Sequence, residues 1–454
     1  MRVLGATSAA VLALLLPGPA IAATTRVMES STAQFFEPAL AGDSVVADAY
    51  RPKEIVDVLA AQPGQKPSLL LRVKSAQAHP AASGDQVLVR RSSDEGDTDI
   101  FSGTLAGPLA AIQSCPQDTD LAFQPAPALD GALAVWSAGD CNANHVRVQN
   151  GSAVQTIDAG GLVTAVAAAG HYAAWLAGAP GPPRLTVYDV EGGQVAYSTT
   201  VGPATQVGLA ADGTAVLGHA NVDSPSKLCP DDSPAQIDYY TPAEPTAHTL
   251  PVPLCSVNQA VEIAAGRIAY VERLASGLDQ LTLANLDGSA ELPVALFSPR
   301  PSGTSFDFDG SRVAWTDIRC RSSLVLRRDA SDTSAPEPAT TCPVDVGTPR
   351  LSRDGTLHVP VACPNGCQPD AGSLEGIQII SPHWLHVIGK TRGVTRYAPF
   401  VPFSLKPGAH TVVRLPLTAS QRATLRRHGK ASVRLKVVLQ DVYLPRVIRT
   451  ARTR

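Results

Sequence analysis

A chain of 454 residues, 44% hydrophobic and with a formal net charge of -3, holds no run beyond its first two dozen residues long and apolar enough to span a bilayer, so no membrane-spanning helix is expected in its body. The charge is uneven: Lys390 to Arg454 carries 15 Lys and Arg against the single acid Asp441, a net of +14 beside -17 for the remainder. No nucleic-acid reader motif or interleaved aromatics accompany the basic part, so nucleic acid is not expected as a partner; the two parts attract each other or keep the chain soluble, and the sharper alternative is that the basic part meets an anionic polymer of the cell envelope.

Residues 1–23 read as a secretory signal peptide. Arg2 supplies the positive start, Ala10 to Leu16 the apolar run, and Ala20-Ile21-Ala22 the small-residue cleavage site. Pro17 and Pro19 cut the run short of the roughly 18 to 20 residues that a membrane anchor needs. The mature chain is therefore expected outside the cytoplasm, secreted or associated with the envelope.

From residue 38 to 315 one phrase recurs seven times: an apolar stretch, a glycine, then apolar residues often ending in an aromatic. The glycines are Gly42, Gly84, Gly131, Gly170, Gly213, Gly266 and Gly310, spaced by 42, 47, 39, 43, 53 and 44 residues. A period in the low to middle forties is that of one four-stranded β-propeller blade per repeat. The expected fold is therefore all-β, with a seven-bladed propeller over 24–343. Asn150-Gly151, Gly192-Gly193 and Asp287-Gly288 recur 19, 22 and 21 residues after their repeat glycines, where the hairpin between third and fourth strands should turn. Pro63 to Pro67 and the polar run Ser92 to Asp99 blur the outer strands of the first two copies. Thr24 to Phe35 is a candidate for a strand added to the last blade, locking the ends together. Trp136, Trp175, Tyr270 and Trp315 fall at matching positions, which points to packing between blades and away from a sugar-stacking platform.

Eight cysteines in an exported chain are read as paired. Position suggests Cys229 with Cys255, Cys320 with Cys342, Cys115 with Cys141 across two neighbouring blades, and Cys363 with Cys367 across a Pro-Asn-Gly turn, one connectivity among 105. A zinc site lacks a second Cys-x-x-Cys or a nearby His pair.

The eighth phrase, Leu351 to Val359 around Gly355, breaks the period. The strands and turns after it, with a short helix capped by Thr418 and ended by Gly429, suggest a separate small basic β-sandwich over 346–454.

Two resemblances follow from these residues. Ala210-Ala211-Asp212-Gly213-Thr214-Ala215-Val216 and Asp307-Phe308-Asp309-Gly310-Ser311-Arg312-Val313-Ala314-Trp315 resemble the blade repeat of TolB-type, WD-like exported bacterial propellers. That resemblance covers about residues 30 to 343 and implies an interaction module. The pattern after residue 346, a Cys-bearing strand, a Gly-started strand, Phe403-Ser404-Leu405 before Gly408, and Leu417-Thr418 before Arg422, resembles the C-terminal Ig-like sandwich of exported actinobacterial proteins.

Chemistry is harder to find. The chain contains no Gly-x-Ser-x-Gly elbow, phosphate-binding glycine loop or His-Glu-x-x-His helix, and no catalytic residue, metal ligand or cofactor site is assigned from it. Asp307 and Asp309 before Gly310 read as turn formers, Asp94, Asp97 and Asp99 as a solvated loop, His383 and His386 as opposite faces of a strand, and Arg90, Arg91, Arg319 and Arg321 as solvated edges. The sequence reading is thus a non-catalytic binding protein with a protein or glycan ligand. The alternatives are a propeller hydrolase or lyase acting on carbohydrate or peptide, and a structural envelope component attached through its basic domain. An enzyme should place carboxylates or a Ser/His/acid set at non-repeating positions on one face.

Overall fold

The computed structural model describes residues 24–453 except 52–54, 75, 94–96, 116–124, 138–140, 179–181, 205, 221–234, 251–259, 277, 298–304, 320–321, 340–344, 349, 353–355, 365–375, 380–407, 417–418, 420–429, 440–441 and 444–446. The leader-like residues 1–23, the helix expected after Thr418, His383 and His386, Asp94, Arg321, and Cys229, Cys255, Cys320, Cys342 and Cys367 lie outside the described residues, as does the Cys363 side chain.

Seven four-stranded antiparallel sheets form a seven-bladed β-propeller. Six blades run in sequence order from the innermost strand outward: Gln34–Lys74, Ala76–Cys115, Ala128–Asp158, Leu162–Thr200, Val207–Thr249 and Val261–Phe297. The seventh takes its inner three strands from Phe306–Phe308, Arg312–Arg319 and Ser322–Asp329, and its outermost strand from Thr25–Ser30. That strand pairs antiparallel to the third, Thr25 opposite Arg327 and Ser30 opposite Ser323. The N-terminal segment thus closes the ring, and among the described residues no eighth blade follows.

The repeat phrase is the hairpin between first and second strands. All seven repeat glycines have positive φ, from 56° at Gly131 to 90° at Gly310, a region that glycine enters without Cβ strain and that matches the twist of tight hairpins. Gly151, Gly193 and Gly288 turn the outer hairpins in the same way. Asp309 accepts hydrogen bonds from the backbones of Ser311 and Arg312, so it builds a turn.

The core lies between blades. A blade alone has two apolar faces and must cover both, so each sheet packs on its neighbours. Leu281, Leu283 and Phe297 of blade six meet Phe306, Phe308 and Trp315 of blade seven. Met28 and Phe35 meet Val45, Ala47, Ala314 and Val325 at the seam between blades seven and one. Trp136, Trp175, Tyr270 and Trp315 are all buried and each packs toward the blade before it, the packing role read from their repetition. One disulfide, Cys115–Cys141, joins the last strand of blade two to the loop after the second strand of blade three.

The described C-terminal strands fall into two antiparallel groups. Asp345–Val346, Arg350–Leu351 and Ala409–Pro416 pair with Thr356–Cys363, and Gly376–Ile379, Val442–Tyr443 and Val447–Thr453 pair with Lys430–Leu439. A parallel contact of Arg350–Leu351 with Arg452–Thr453 links the groups into one hydrogen-bonded set of eight strands. This is β structure outside the propeller, and the described pairings do not support the expected Ig-like sandwich, because the link makes one continuous ladder of the two groups. No helix among the described residues is long and apolar enough to cross a membrane.

Candidate functional site

Polar side chains inside the blades divide into those that repeat and those that do not. In blades one, two, five and six an acid on the third strand meets a base on the second. Asp57 accepts from Arg72 Nε at 2.6 Å and pairs with Arg51 Nε at 2.6 Å; Asp99 accepts from Arg91 at 2.8 Å and from Ser114; Asp279 pairs with Arg273. In blade five Asp238 pairs with His219 Nε2 at 3.2 Å and accepts from Gln236 at 2.6 Å and Thr249 at 2.7 Å. A feature written into four blades belongs to the scaffold. Asp99 is therefore committed to the blade, which corrects its reading as part of a solvated loop.

The exception lies between blades one and two. The innermost strand of blade one, Gln34–Ala41, carries a β-bulge between Phe36 and Ala39, and Glu37 within it has φ of 38°. A left-handed glutamate is held by its surroundings at a conformational cost, and such strain concentrates at functional sites. The bulge turns Glu37 toward blade two, where both carboxylate oxygens lie 2.7–2.8 Å from Nδ1 of His79. A carboxylate only accepts, so Nδ1 donates, and in the neutral imidazole Nε2 bears the lone pair. Nε2 is enclosed and has no hydrogen-bond partner among the described residues.

Neighbouring residues of the two blades surround the pair. Asp48 stands opposite Phe36, Tyr50 opposite Gln34, and Arg90 opposite His79. Tyr50 packs edge-on against Phe36 with ring centres 5.1 Å apart, and its hydroxyl bonds the backbone of Ala78 in blade two. Burial, reinforced by the charge of Glu37, raises Asp48 well above the usual carboxylate range. Burial also raises the Tyr50 phenol and lowers Arg90 to about 10, with Glu37 opposing the fall; Arg90 keeps its charge at neutral pH. Besides His79 Nε2, the enclosed atoms without a partner are Gln34 Nε2, Asp48 Oδ1, and Nε and Nη1 of Arg90.

Arg90 corrects the sequence expectation of a solvated edge: it is 4% exposed. In strand Gln86–Ser93 alternate side chains take opposite faces, so Arg91, on the face of Val87 and Val89, reaches Asp99, while Arg90 shares the other face with the buried Leu88. Arg319 pairs with Asp317 at 2.9 Å and with Glu337 at 3.1 Å.

Two other places gather buried or clustered charge. Glu262 and Asp307, on the inner strands of blades six and seven, are both raised by burial, Asp307 to about 6. Asp307 Oδ2 accepts from the Leu40 amide at 2.5 Å and so ties blade seven to blade one. A cleft of about 280 Å³ at the seam is lined by Glu29, Phe35, Arg51, Asp57, Lys66 and Arg72, but Asp57 there is saturated by its two arginines and Glu29 pairs with Arg26. Among the described residues no group of three or more His, Cys, Asp and Glu is placed to hold a metal.

Sequence reasoning missed Glu37 and His79. The available signal was departure from the repeat: Glu37-Pro38 and His79-Pro80 put a charge and a proline into inner strands that elsewhere are mostly small and apolar.

No protein-family model matches the chain, and no curated protein matches it. Among solved structures it is similar to a prolyl endopeptidase (16% identity, TM-score 0.45, covering 76% of this chain and 55% of that one). It is also similar to puromycin hydrolase (16%, 0.43, 76% and 61%) and to the WD40 domain of Toxoplasma gondii coronin (11%, 0.40, 70% and 91%). The chain spans less than two thirds of the length of either peptidase. The likeness concerns the propeller fold. The expectation of a non-catalytic binding protein is corrected at this point: a puromycin hydrolase and a prolyl endopeptidase stand among the similar structures.

Proposed function

We propose that the protein is a hydrolase of peptide-class substrates in which His79 acts as general base, oriented by Glu37. The observation that carries this reading is the bond from Nδ1 of His79 to the Glu37 carboxylate at 2.7 Å, which leaves Nε2 without a partner. A carboxylate-oriented imidazole can take a proton from water and return it to a leaving amine, the proton traffic that hydrolysis of an amide needs. Glu37, whose side chain is 37% exposed beside a His79 at 16%, forms the open side of the site, and the enclosed Nε2 meets water or substrate only when its cover shifts. Glycoside hydrolysis fits less well, since it uses two carboxylates flanking the bond, and Asp48 lies sealed behind Phe36 and Tyr50. An exported setting, supported by the leader-like residues 1–23 and the Cys115–Cys141 bond, belongs to the same proposal, as does a basic C-terminal β unit that meets anionic envelope polymer.

The test is incubation of the full chain with a library of blocked peptides, read by mass spectrometry, beside His79→Gln and the scaffold variant Asp238→Asn. Cleavage by wild type and Asp238→Asn but not His79→Gln is the expected result. No cleavage by wild type, or equal cleavage by His79→Gln, rejects the reading.

A further inference from the structure

Blade one breaks the scaffold rule at its outermost strand. In blades two, five and six the acid on the third strand stands directly opposite an uncharged residue of the fourth: Asp99 faces Ser114, Asp238 faces Thr249 and Asp279 faces Phe297. In blade one Asp57 faces Arg72. A base from the second strand answers the acid in each blade, and here Arg51 already does so, its Nε 2.6 Å from Oδ2 of Asp57. Arg72 adds a second guanidinium, donating from Nε at 2.6 Å and from Nη2 at 3.0 Å. Burial pushes Asp57 upward, yet the two guanidiniums outweigh it and hold the carboxyl below its ordinary 3.8. One ionised carboxylate thus stands against two cations.

The surplus charge opens into a cavity. The cleft of about 280 Å³ where blade one meets the closing strand Thr25–Ser30 is lined by Arg51, Arg72 and also Lys66. Glu29, the other acid on its wall, is matched by Arg26. Three cations therefore share the single charge of Asp57. Among the described residues no further ion pair or hydrogen bond engages the side chains of Arg51, Arg72 or Lys66, and those of Arg51 and Arg72 are 39% and 57% exposed. The rest of the wall is apolar: Phe35 and Leu59 are its buried part, and Leu69 is 48% exposed. A cation is repelled by such a lining, and an inorganic anion leaves its apolar half uncovered. Guanidinium forks match the paired oxygens of a carboxylate or a phosphate.

We propose that this cleft binds a small organic anion, a carboxylate or phosphate carried next to an aromatic or branched apolar group, and that its occupancy holds the ring closed. Glu29 and Ser30 belong to the closing strand, so the cleft is complete only while that strand is seated. A ligand that binds only the closed ring favours it by mass action. Neither Glu37 nor His79 lines the cleft, so binding here is separate from the acid-base pair.

Isothermal titration calorimetry on the full chain compares N-acetyl-phenylalanine, its amide, N-acetylglycine and phenyl phosphate. The stronger of the two aromatic anions is expected to bind about ten-fold or more tightly than the neutral amide and than N-acetylglycine, and its identity tells carboxylate from phosphate. Arg72→Ser, which gives blade one the residue that blade two has there, is expected to lose about ten-fold in that affinity. Lys66→Ala is expected to lose about three-fold. Hydrogen exchange of Thr25–Ser30 is expected to slow when the anion saturates the protein. Equal affinity for the amide, equal affinity for N-acetylglycine, or no binding by either aromatic anion overturns the proposal in wild type alone. Unchanged affinity in folded Arg72→Ser also overturns it, and if that variant does not fold, unchanged affinity in Lys66→Ala decides against the site. Binding that leaves exchange in Thr25–Ser30 unaltered puts the anion elsewhere and rejects the cleft.

Discussion

Glu37 and His79 are 42 residues apart in sequence and sit on the innermost strands of adjacent blades, yet their side chains meet at 2.7 Å because a bulge turns Glu37 out of its own strand. The contact is partly exposed, so its worth to the fold is small, below about 1 kcal/mol. Replacing either residue with glutamine is expected to lower kcat/KM for peptide hydrolysis by about 10² to 10⁴-fold, the range for loss of a general base, while moving the urea midpoint little. Parallel kinetics and denaturation curves separate the two effects. A large stability loss with matching activity loss would make the pair structural.

Asp48 makes the fold pH-sensitive in an unusual direction. Its folded pKa lies above the unfolded value, so the unfolded chain releases the proton first, and stability falls as pH rises from about 4 toward the folded value. Asp48→Asn copies the neutral acid. We expect it to be close to wild type in stability near pH 4 and more stable at pH 7, measured by chemical denaturation at both.

His219 and Asp238 of blade five set a window. Burial alone would lower His219, but the bonds to Asp238 and to the Pro203 carbonyl lift it above its ordinary 6.5. Its contribution is complete below that unfolded value and is lost as pH rises through the folded one. For Asp238, burial pushes upward, and His219, Gln236 and Thr249 together hold it below 3.8. That contribution is present above the unfolded value and is lost on acidification through the folded one. The pair therefore stabilises most between about pH 4 and 6.5. The stability difference between wild type and His219→Gln, followed across pH, should peak there, and a flat difference would refute it.

The Cys115–Cys141 bond closes a loop of 26 residues' separation. Loop-closure entropy puts its loss at about 3 kcal/mol. The double change Cys115→Ser, Cys141→Ser should lower unfolding free energy by about that much, and a change under about 0.5 kcal/mol would show that the bond constrains little.

Gly208 tests the crowding of inner strands. A Cβ there would stand 2.7 Å from the Val261 carbonyl oxygen of blade six and 2.8 Å from Val216 Cγ2. Backbone cannot yield easily, so Gly208→Ala is expected to cost about 1 to 3 kcal/mol by thermal denaturation.

The architecture was legible because it is redundant. Seven glycines at one hairpin, three more at another, and a recurring aromatic each carried the same period, and the structure places them at those hairpins and between those blades. The site was illegible for the opposite reason. Glu37, Asp48, His79 and Arg90 share no spacing, and they converge only because blade one lies against blade two and a bulge reverses one side chain. Arg90 beside Arg91 looked like paired surface charge, since a sequence shows neighbours along the strand and not the sheet that covers one face. The acids that did recur, Asp57, Asp99, Asp238 and Asp279, are bound to bases within their own blades and serve the scaffold.

The pairing of Thr25–Ser30 with Ser322–Asp329 also imposes an order on biosynthesis. The first strand to be made is the last that can find its place, because its partner is translated only after six blades have been completed. Until then the seventh sheet lacks its outer member, and the faces that Met28 and Phe35 later cover stay open to solvent. A nascent chain is thus an unclosed arc with an adhesive strand at one end and an unfinished edge at the other. Long-range pairing of this kind is slow. During that interval the seam is where two nascent copies would exchange strands, so dimers formed at high expression should be domain-swapped through residues 25–30.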